Sequence, residues 1–395
     1  MSRPALELAD IVRRYGPAYQ QAHPLPWYQR ALLRAIEICR TAVLGGHVEQ
    51  CDHCSHQRIS YNSCRNRHCP KCQSLARAKW LRQRKGELLP VEYFHVVFTV
   101  PNQIAAIAFY NKKVVYSILF RAAAETLLTI AGDPKHLGAR IGFFAILHTW
   151  GQNLLHHPHL HCVVPGGGFS EDHQRWIGCR PGFFLPVRVL SRLFRRLFLE
   201  ALGKAHQKGQ LKFFSELEPL HNAGAFARYL TPLKQIEWVV YAKPPFGGPR
   251  QVLEYLGRYT HRVALSNERL VSIDNDQVSF RWKDYRHRDR HKWKTMTLAA
   301  EEFLRRFLLH ALPPGFQRIR YFGWLANRHR KPRLQQARQL LGAAVTEWLP
   351  EAASKTLALI CDALRRCPQC GLGTLIRTRI LGPGSVADPA YLDSS

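Results

Sequence analysis

Three groups of residues in this chain have types and spacing that can do chemistry. The first is a set of cysteines. Cys51-x2-Cys54 and Cys69-x2-Cys72 are CxxC pairs with fourteen residues between the inner cysteines. Two such pairs can fold as knuckles that close a tetrahedral four-sulfur site, and zinc is the metal that prefers it. A closed site of this kind holds shape and does no chemistry. Four thiolates around Zn²⁺ leave net negative charge, and Arg65, Arg67, His68 and Lys71 stand where they can offset it and reach phosphate. Cys64 and His68 are alternative ligands, although Cys64 also reads as a small buried residue. Near the end of the chain, Cys367-Pro368-Gln369-Cys370-Gly371 is half a site. Cys361 is a candidate third ligand, no fourth lies close in sequence, and a surface turn fits equally well.

The second group is histidine. In His156-His157-Pro158-His159-Leu160-His161, residues two apart on a strand face the same side, so His159 and His161 point together while Leu160 enters the core. Two imidazoles on one face can hold a divalent cation with positions left open for substrate oxygen. Pro158 is expected to mark the start of the strand, which leaves His156 and His157 outside the site. A third ligand can come from His148 on the preceding strand or from Gln152 in the connecting loop, and Gln152 is the preferred reading. Alone, a His-x-His also fits a solvated strand face.

The third group is Tyr255 and Tyr259, four apart in a helix expected to start at Pro249, so that their hydroxyls share a face. A phenol ionises only near pH ~10 and is a poor nucleophile until its anion is stabilised. Arg258, His261 and Arg262 supply positive charge for that purpose. Two tyrosines at this spacing fit a core or an interface as well.

The elements that must position these residues alternate between β-branched runs and long helical stretches. Strands are expected at 95–100, 141–148, 159–164, 236–241, 270–273 and 278–282, and helices over the N-terminal 45 residues, 75–89, 112–130, 188–230, 249–261 and 300–312. The pattern predicts an α+β fold with an antiparallel core. Expected segments are 1–90 (helical and zinc-binding), 91–270, a basic accessory piece at 271–345, and a loose tail at 346–395. With 57 Lys and Arg against 28 Asp and Glu, the net charge of +29 makes nucleic acid the expected partner. No apolar run approaching a membrane span and no secretory signal is apparent, and eleven cysteines, an odd number grouped in CxxC pairs, suit metal binding in a reducing compartment. A cytoplasmic protein with no membrane partner is expected.

Taken together and in this order, Phe98-Thr99-Val100, His159-Leu160-His161, and Tyr255 with Tyr259 resemble the HUH endonucleases, named for a histidine, a bulky apolar residue and a histidine. Longer strings at 148–153, 157–168 and 255–267 are more specific. So are Ser63-Cys64-Arg65-Asn66-Arg67-His68-Cys69-Pro70-Lys71-Cys72 and Ile319-Arg320-Tyr321-Phe322-Gly323. They resemble the two-tyrosine rolling-circle transposases of bacterial insertion sequences, the family named for insertion sequence ninety-one, over about residues 20–345. The resemblance implies an N-terminal zinc-binding module followed by an HUH domain with a central antiparallel sheet flanked by helices. It implies Mg²⁺ or Mn²⁺ on His159 and His161, and attack by Tyr255 or Tyr259 on single-stranded DNA at the element's ends and at the target. The product is a 5′-phosphotyrosine, and rejoining needs no nucleotide cofactor. A cytoplasmic, nucleoid-associated bacterial protein is implied. Rival readings are a rolling-circle replication initiator, a non-catalytic zinc-dependent DNA-binding protein, and an RNA-binding protein; no RNA-specific module is apparent.

Overall fold

The computed structural model describes residues 6–72, 80–81, 84, 86–243, 251, 263–284, 292–342, 366–384 and 392–393. In chain order the elements are α1 (Leu8–Ala22), α2 (Trp27–Glu37), β1 (Gly46–Cys51), β2 (Gln57–Tyr61), β3 (Tyr93–Thr99), α3 (Asn102–Tyr110) and α4 (Lys112–Gly132). They continue as β4 (Gly142–Trp150), β5 (His156–Pro165), β6 (Gly167–Phe169), β7 (Trp176–Gly178), α5 (Val187–Gln207), α6 (Ala223–Gln235) and β8 (Val240–Lys243). Then come β9 (Leu270–Asp274), β10 (Gln277–Asp284), β11 (Lys292–Ala299), α7 (Ala300–Leu309), β12 (Ile319–Gly323), α8 (Arg330–Leu340), β13 (Leu375–Leu381) and β14 (Leu392–Asp393). The α+β expectation holds. The chain divides into one unit drawn from residues 1–82, 261–311 and 346–395, and another drawn from 83–260 and 312–345. The stretch at 271–345, expected as one accessory piece, is therefore shared between the units.

The second unit is built on a five-stranded sheet of order β12-β4-β5-β3-β8 in which every neighbouring pair is antiparallel. Alternation along the strands gives it two different faces. Phe94, Val96 and Phe98 of β3, Phe143, Ala145 and Leu147 of β4, and Leu160, Cys162 and Val164 of β5 are all buried on one face. They join one core with Val115, Leu119, Ala123 and Leu127 of α4 and Leu190, Phe194, Phe198 and Leu202 of α5. Each large side chain buried there contributes roughly 1.5–3 kcal/mol against the entropy of ordering the chain. Helix α4 is long and apolar enough to cross a membrane by length and composition, contrary to the sequence expectation, but most of its apolar window is buried in this core. At the sheet edge, Gly323 ends β12 with φ +59°, and a Cβ there would lie 1.9 Å from the Ile141 carbonyl oxygen, so only glycine fits.

Strand β5 begins at His156, ahead of Pro158, which does not mark its start. Its ladder with β4 carries an irregularity between His148 and Trp150, and proline, which has no N–H to donate, is tolerated beside such a bulge. The strand expected at 236–241 begins only at Val240. Trp238 is instead buried, with its indole N–H donating to the Leu233 carbonyl at the end of α6.

The first unit contains a three-stranded sheet, β11-β10-β9, and a four-stranded sheet, β13-β1-β2-β14. Strand β1 is central in the latter, pairing antiparallel with β2 on one side and β13 on the other. The tail is thus not loose throughout, because residues 375–381 form a ladder with β1 and bury Leu375 and Leu381. Helices α1 and α7 are tied by the His23–Glu301 contact at 2.7 Å, and Gln29 on α2 donates to the Leu308 carbonyl.

Candidate metal centres and active site

The sheet face opposite the apolar core carries histidines. His159 and His161 share a face of β5, as their spacing requires, and the β4 register sets His148 directly across from His159. One ring nitrogen from each of His148, His159 and His161 lies within 4.8 Å of the others, so one cation can reach all three. His148 and His161 are buried, and their ring centroids are 4.5 Å apart. The sequence reading preferred Gln152 as third ligand. Gln152 is in the turn after β4, whereas the residue that the register brings to the pair is His148.

Neighbouring groups set the tautomers of the pair. His159 Nδ1 lies 2.7 Å from the His157 carbonyl oxygen. A carbonyl only accepts, so Nδ1 carries the proton and the Nε2 lone pair is the one that can face a cation. His161 Nδ1 lies 2.7 Å from Nε2 of His95, a residue 1% exposed on β3 whose ring stacks on His161 at 5.0 Å between centroids. If His161 presents Nε2 to a cation, its Nδ1–H must donate to His95. Sequence reading missed His95; the signal available was a histidine in an otherwise apolar strand.

His156 plays a different part. Its Nε2 accepts from the Tyr116 hydroxyl at 2.7 Å and its Nδ1 donates to the Ala105 carbonyl at 3.2 Å. Burial, and then the charge of Lys112, lower its pKa to about 3. It is a neutral hydrogen-bonded linker to the helices, in keeping with its exclusion from the site.

The cysteines regroup. The expected set Cys51, Cys54, Cys69 and Cys72 does not come together; the structure splits it between two clusters. Cys69 and Cys72 meet Cys39 and Cys64, and Cys51 and Cys54 meet Cys367 and Cys370, the four sulfurs of each cluster lying within 4.8 Å of one another. The physical reason lies in β1 and β2. They form a hairpin with Cys51 and Cys54 at its tip, while Cys39 just after α2 and Cys64 just after β2 are at its base. Cys64 is therefore a cluster member rather than a passive buried residue, and His68 does not replace a cysteine. Cys39 was missed because it read as part of an N-terminal helix. The sulfurs of Cys39 and Cys72 are 3.2 Å apart and those of Cys64 and Cys72 are 3.5 Å apart. Backbone N–H groups of Asn66 and Arg65 point at Cys64 and Cys72, in the manner of a knuckle. Hydrogen bonding first from Cys39, then from Cys64 and Cys69, lowers the Cys72 pKa, while Cys39, then Cys64 and Cys72, raise that of Cys69. Crowding of this kind is relieved when a cation takes all four as thiolates.

Among the residues aimed at phosphate, Arg65 is exposed, with φ +54° at the knuckle, and Arg67 is half-buried. Lys71 is not presented to solvent. Its ammonium lies 2.6 Å from the Glu7 carboxylate, both side chains 9% exposed. That ion pair corrects the expectation for Lys71. Tyr255, Tyr259, Arg258 and Arg262 lie outside the described residues, as does Cys361.

Comparisons with known proteins bear on this arrangement. Residues 142–333, which include all three clustered histidines and both tyrosines, match the family model described as "Putative transposase". Residues 11–100 match "Transposase zinc-binding domain", which supports structural zinc in this chain. The chain is 61% identical to "Putative transposase y4qJ" of Sinorhizobium fredii over the full length of both. It is 29% identical to "Transposase for insertion sequence element IS801" of Pseudomonas savastanoi pv. phaseolicola, over 89% of this chain and 85% of that one.

Proposed function

The chain belongs to the insertion sequence ninety-one family of transposases, and on that premise we propose that it nicks and rejoins single-stranded DNA by tyrosine transesterification in rolling-circle transposition. The observation that carries this reading is the His148, His159 and His161 cluster, whose imidazoles are oriented by His95 and by the His157 carbonyl. Three imidazoles would hold a divalent cation, and phosphate oxygens of the substrate would supply the hard oxygen donors that Mn²⁺ or Mg²⁺ prefers. When bound, such an ion polarises the scissile phosphate and offsets charge developing on it.

This chain's residues supply the rest. The oxygen of Tyr255 or Tyr259 attacks phosphorus and the bond to the 3′ oxygen breaks, leaving a 5′-phosphotyrosine and a free 3′-OH. The phenol loses its proton as attack proceeds and the departing 3′ oxygen takes one up, so none is lost overall; Arg258, His261 and Arg262, close in sequence, supply positive charge that favours the phenolate. A later 3′-OH attacks the phosphotyrosine, restoring the phosphodiester and the phenol, so the bond energy is conserved. Two tyrosines permit two linked transfers, one at each element end. Cys39, Cys64, Cys69 and Cys72 hold a structural zinc, and Arg65 beside it reaches the DNA backbone.

The test is a denaturing gel of protein with end-labelled single-stranded DNA carrying the element's end, in Mg²⁺ or Mn²⁺, with mass spectrometry of the adduct peptide. Tyr255→Phe and Tyr259→Phe singly should each retain some cleavage, and the double variant should form no covalent adduct. An adduct mapped to another residue, or one that survives in the double variant, would refute the nucleophile assignment.

A further inference from the structure

The second cysteine cluster lies partly outside the matched zinc-binding segment, which ends at residue 100. We propose that Cys51, Cys54, Cys367 and Cys370 bind a second structural zinc ion, which clamps the C-terminal strand β13 onto the N-terminal zinc module and makes the two ends of the chain one folded element.

The cluster is built as two facing knuckles. The sulfurs of Cys51 and Cys370 are 3.8 Å apart, and those of Cys54 and Cys367 are 3.6 Å apart. A tetrahedron with Zn–S bonds of about 2.3 Å has sulfur–sulfur edges of roughly 3.8 Å. A disulfide, by contrast, needs ~2.05 Å. In the first knuckle the N–H groups of His53 and Cys54 approach Cys51 Sγ at 3.4 and 3.5 Å. In the second, the Gly373 N–H approaches Cys370 Sγ at 3.4 Å, and the turn is closed by Gly371 N–H to the Cys367 carbonyl at 2.9 Å. These donors point at sulfur, the atom that becomes anionic on metal binding.

The backbone around the cluster is fitted to it. The Thr374 N–H donates to Asp52 Oδ1 at 2.7 Å and the Asp52 N–H donates to the Thr374 carbonyl at 3.1 Å, so the knuckles are stitched directly together. A Cβ on Gly373 would come within 2.4 Å of Cys51 Sγ and 2.7 Å of Asp52 Oδ1, which leaves room for glycine alone. Strand pairing starts at once, with Cys51 opposite Leu375 and the ladder running to Gly46 opposite Leu381.

Ordinary packing does not account for this. The local apolar cluster is Cys51, Cys367 and Leu375 with Cys370 against it, a very small core. Cys54 is exposed, and an exposed thiol gains nothing from burial. Between Cys54 and Cys367 the chain runs for more than three hundred residues. The entropy of closing such a loop grows only with the logarithm of its length, so a metal clip can close it. An all-sulfur donor set selects zinc over Mg²⁺ or Mn²⁺, so this site does not compete for the ion at the histidines.

Elemental analysis and native mass spectrometry of the full chain should find zinc at both cysteine clusters, two ions per chain. Cys367→Ser/Cys370→Ser should hold one fewer, Cys51→Ser/Cys54→Ser should hold the same one fewer, and combining all four changes should lose no more. A wild-type content of one zinc, or full content in the Cys367→Ser/Cys370→Ser protein, overturns the proposal. Wild-type protein gives a second readout that needs no variant. Iodoacetamide should spare Cys54 and Cys370 until zinc is chelated, after which both should be alkylated. Alkylation before chelation, or thiols that stay blocked in denaturant until a reductant is added, likewise overturns it, the latter in favour of disulfides.

Discussion

His95 touches no substrate in the proposed mechanism, yet its removal should weaken the catalytic ion's hold. Its Nε2 lies 2.7 Å from His161 Nδ1, and its ring is nearly parallel to that of His161, 9° between planes. In His95→Phe the ring and its stacking survive while the acceptor for His161 Nδ1–H is lost. Removing such a partner of a metal-bound histidine costs about 10–100-fold in metal affinity, or roughly 1.4–2.7 kcal/mol. The His161 ring, no longer held in one tautomer and orientation, presents Nε2 to the ion for a smaller fraction of the time. Titration of the full chain with Mn²⁺, followed by electron paramagnetic resonance or calorimetry, should show that loss. Cleavage should fall at low Mn²⁺ and recover at saturating Mn²⁺, which a purely structural defect would not allow. His95→Gln, whose side-chain oxygen can accept the same proton, should recover part of the affinity. Unchanged Mn²⁺ affinity in a folded His95→Phe protein would refute the orienting role.

Further outcomes follow from the same geometry. His148→Ala should weaken Mn²⁺ binding far more than Gln152→Ala; the reverse order would restore Gln152 as the third ligand. His156 has a folded pKa of about 3, below its unfolded value of 6.5. The folded state therefore disfavours its proton, and the stabilisation, full above pH 6.5, is lost as pH falls toward 3. The loss is roughly 1.4 kcal/mol per pH unit, so about 2 kcal/mol at pH 5. Denaturant unfolding at pH 7 and pH 5 should show a flatter pH dependence in His156→Gln than in wild type, and equal dependence would count against the buried neutral histidine. Arg65→Ala should weaken single-stranded DNA binding and reduce its salt slope by about 0.7, whereas Lys71→Ala should act on stability, by at most roughly 3–5 kcal/mol, because it removes the ammonium 2.6 Å from the Glu7 carboxylate. Fluorescence anisotropy across a salt series and thermal melts separate the two, and a normal melting temperature for Lys71→Ala would count against the ion pair.

The chemistry-bearing residues were legible wherever their relation was local. His159 and His161 share a face because strand side chains alternate, and no tertiary information is needed to say so. The α+β class followed likewise from β-branched runs between long helical stretches. Partners brought in by strand register were not legible. His148 entered the site because β4 pairs with β5 in a register that sets it opposite His159, and His95 entered from β3 on the other side. A period-2 pattern fixes which face a residue occupies and leaves open how far one strand slides past the next.

The cysteines make the same division sharper. The sequence by itself determined that this chain binds metal through CxxC pairs, since that spacing lets two thiolates of one turn reach one ion. Which cysteines cluster together was decided only in three dimensions. The β1–β2 hairpin holds Cys51 and Cys54 away from Cys69 and Cys72, and strand β13 returns Cys367 and Cys370 from the far end of the chain. Spacing governs the bite of one turn, and the pairing of turns belongs to a ladder of backbone hydrogen bonds that carries no mark in the order of the residues.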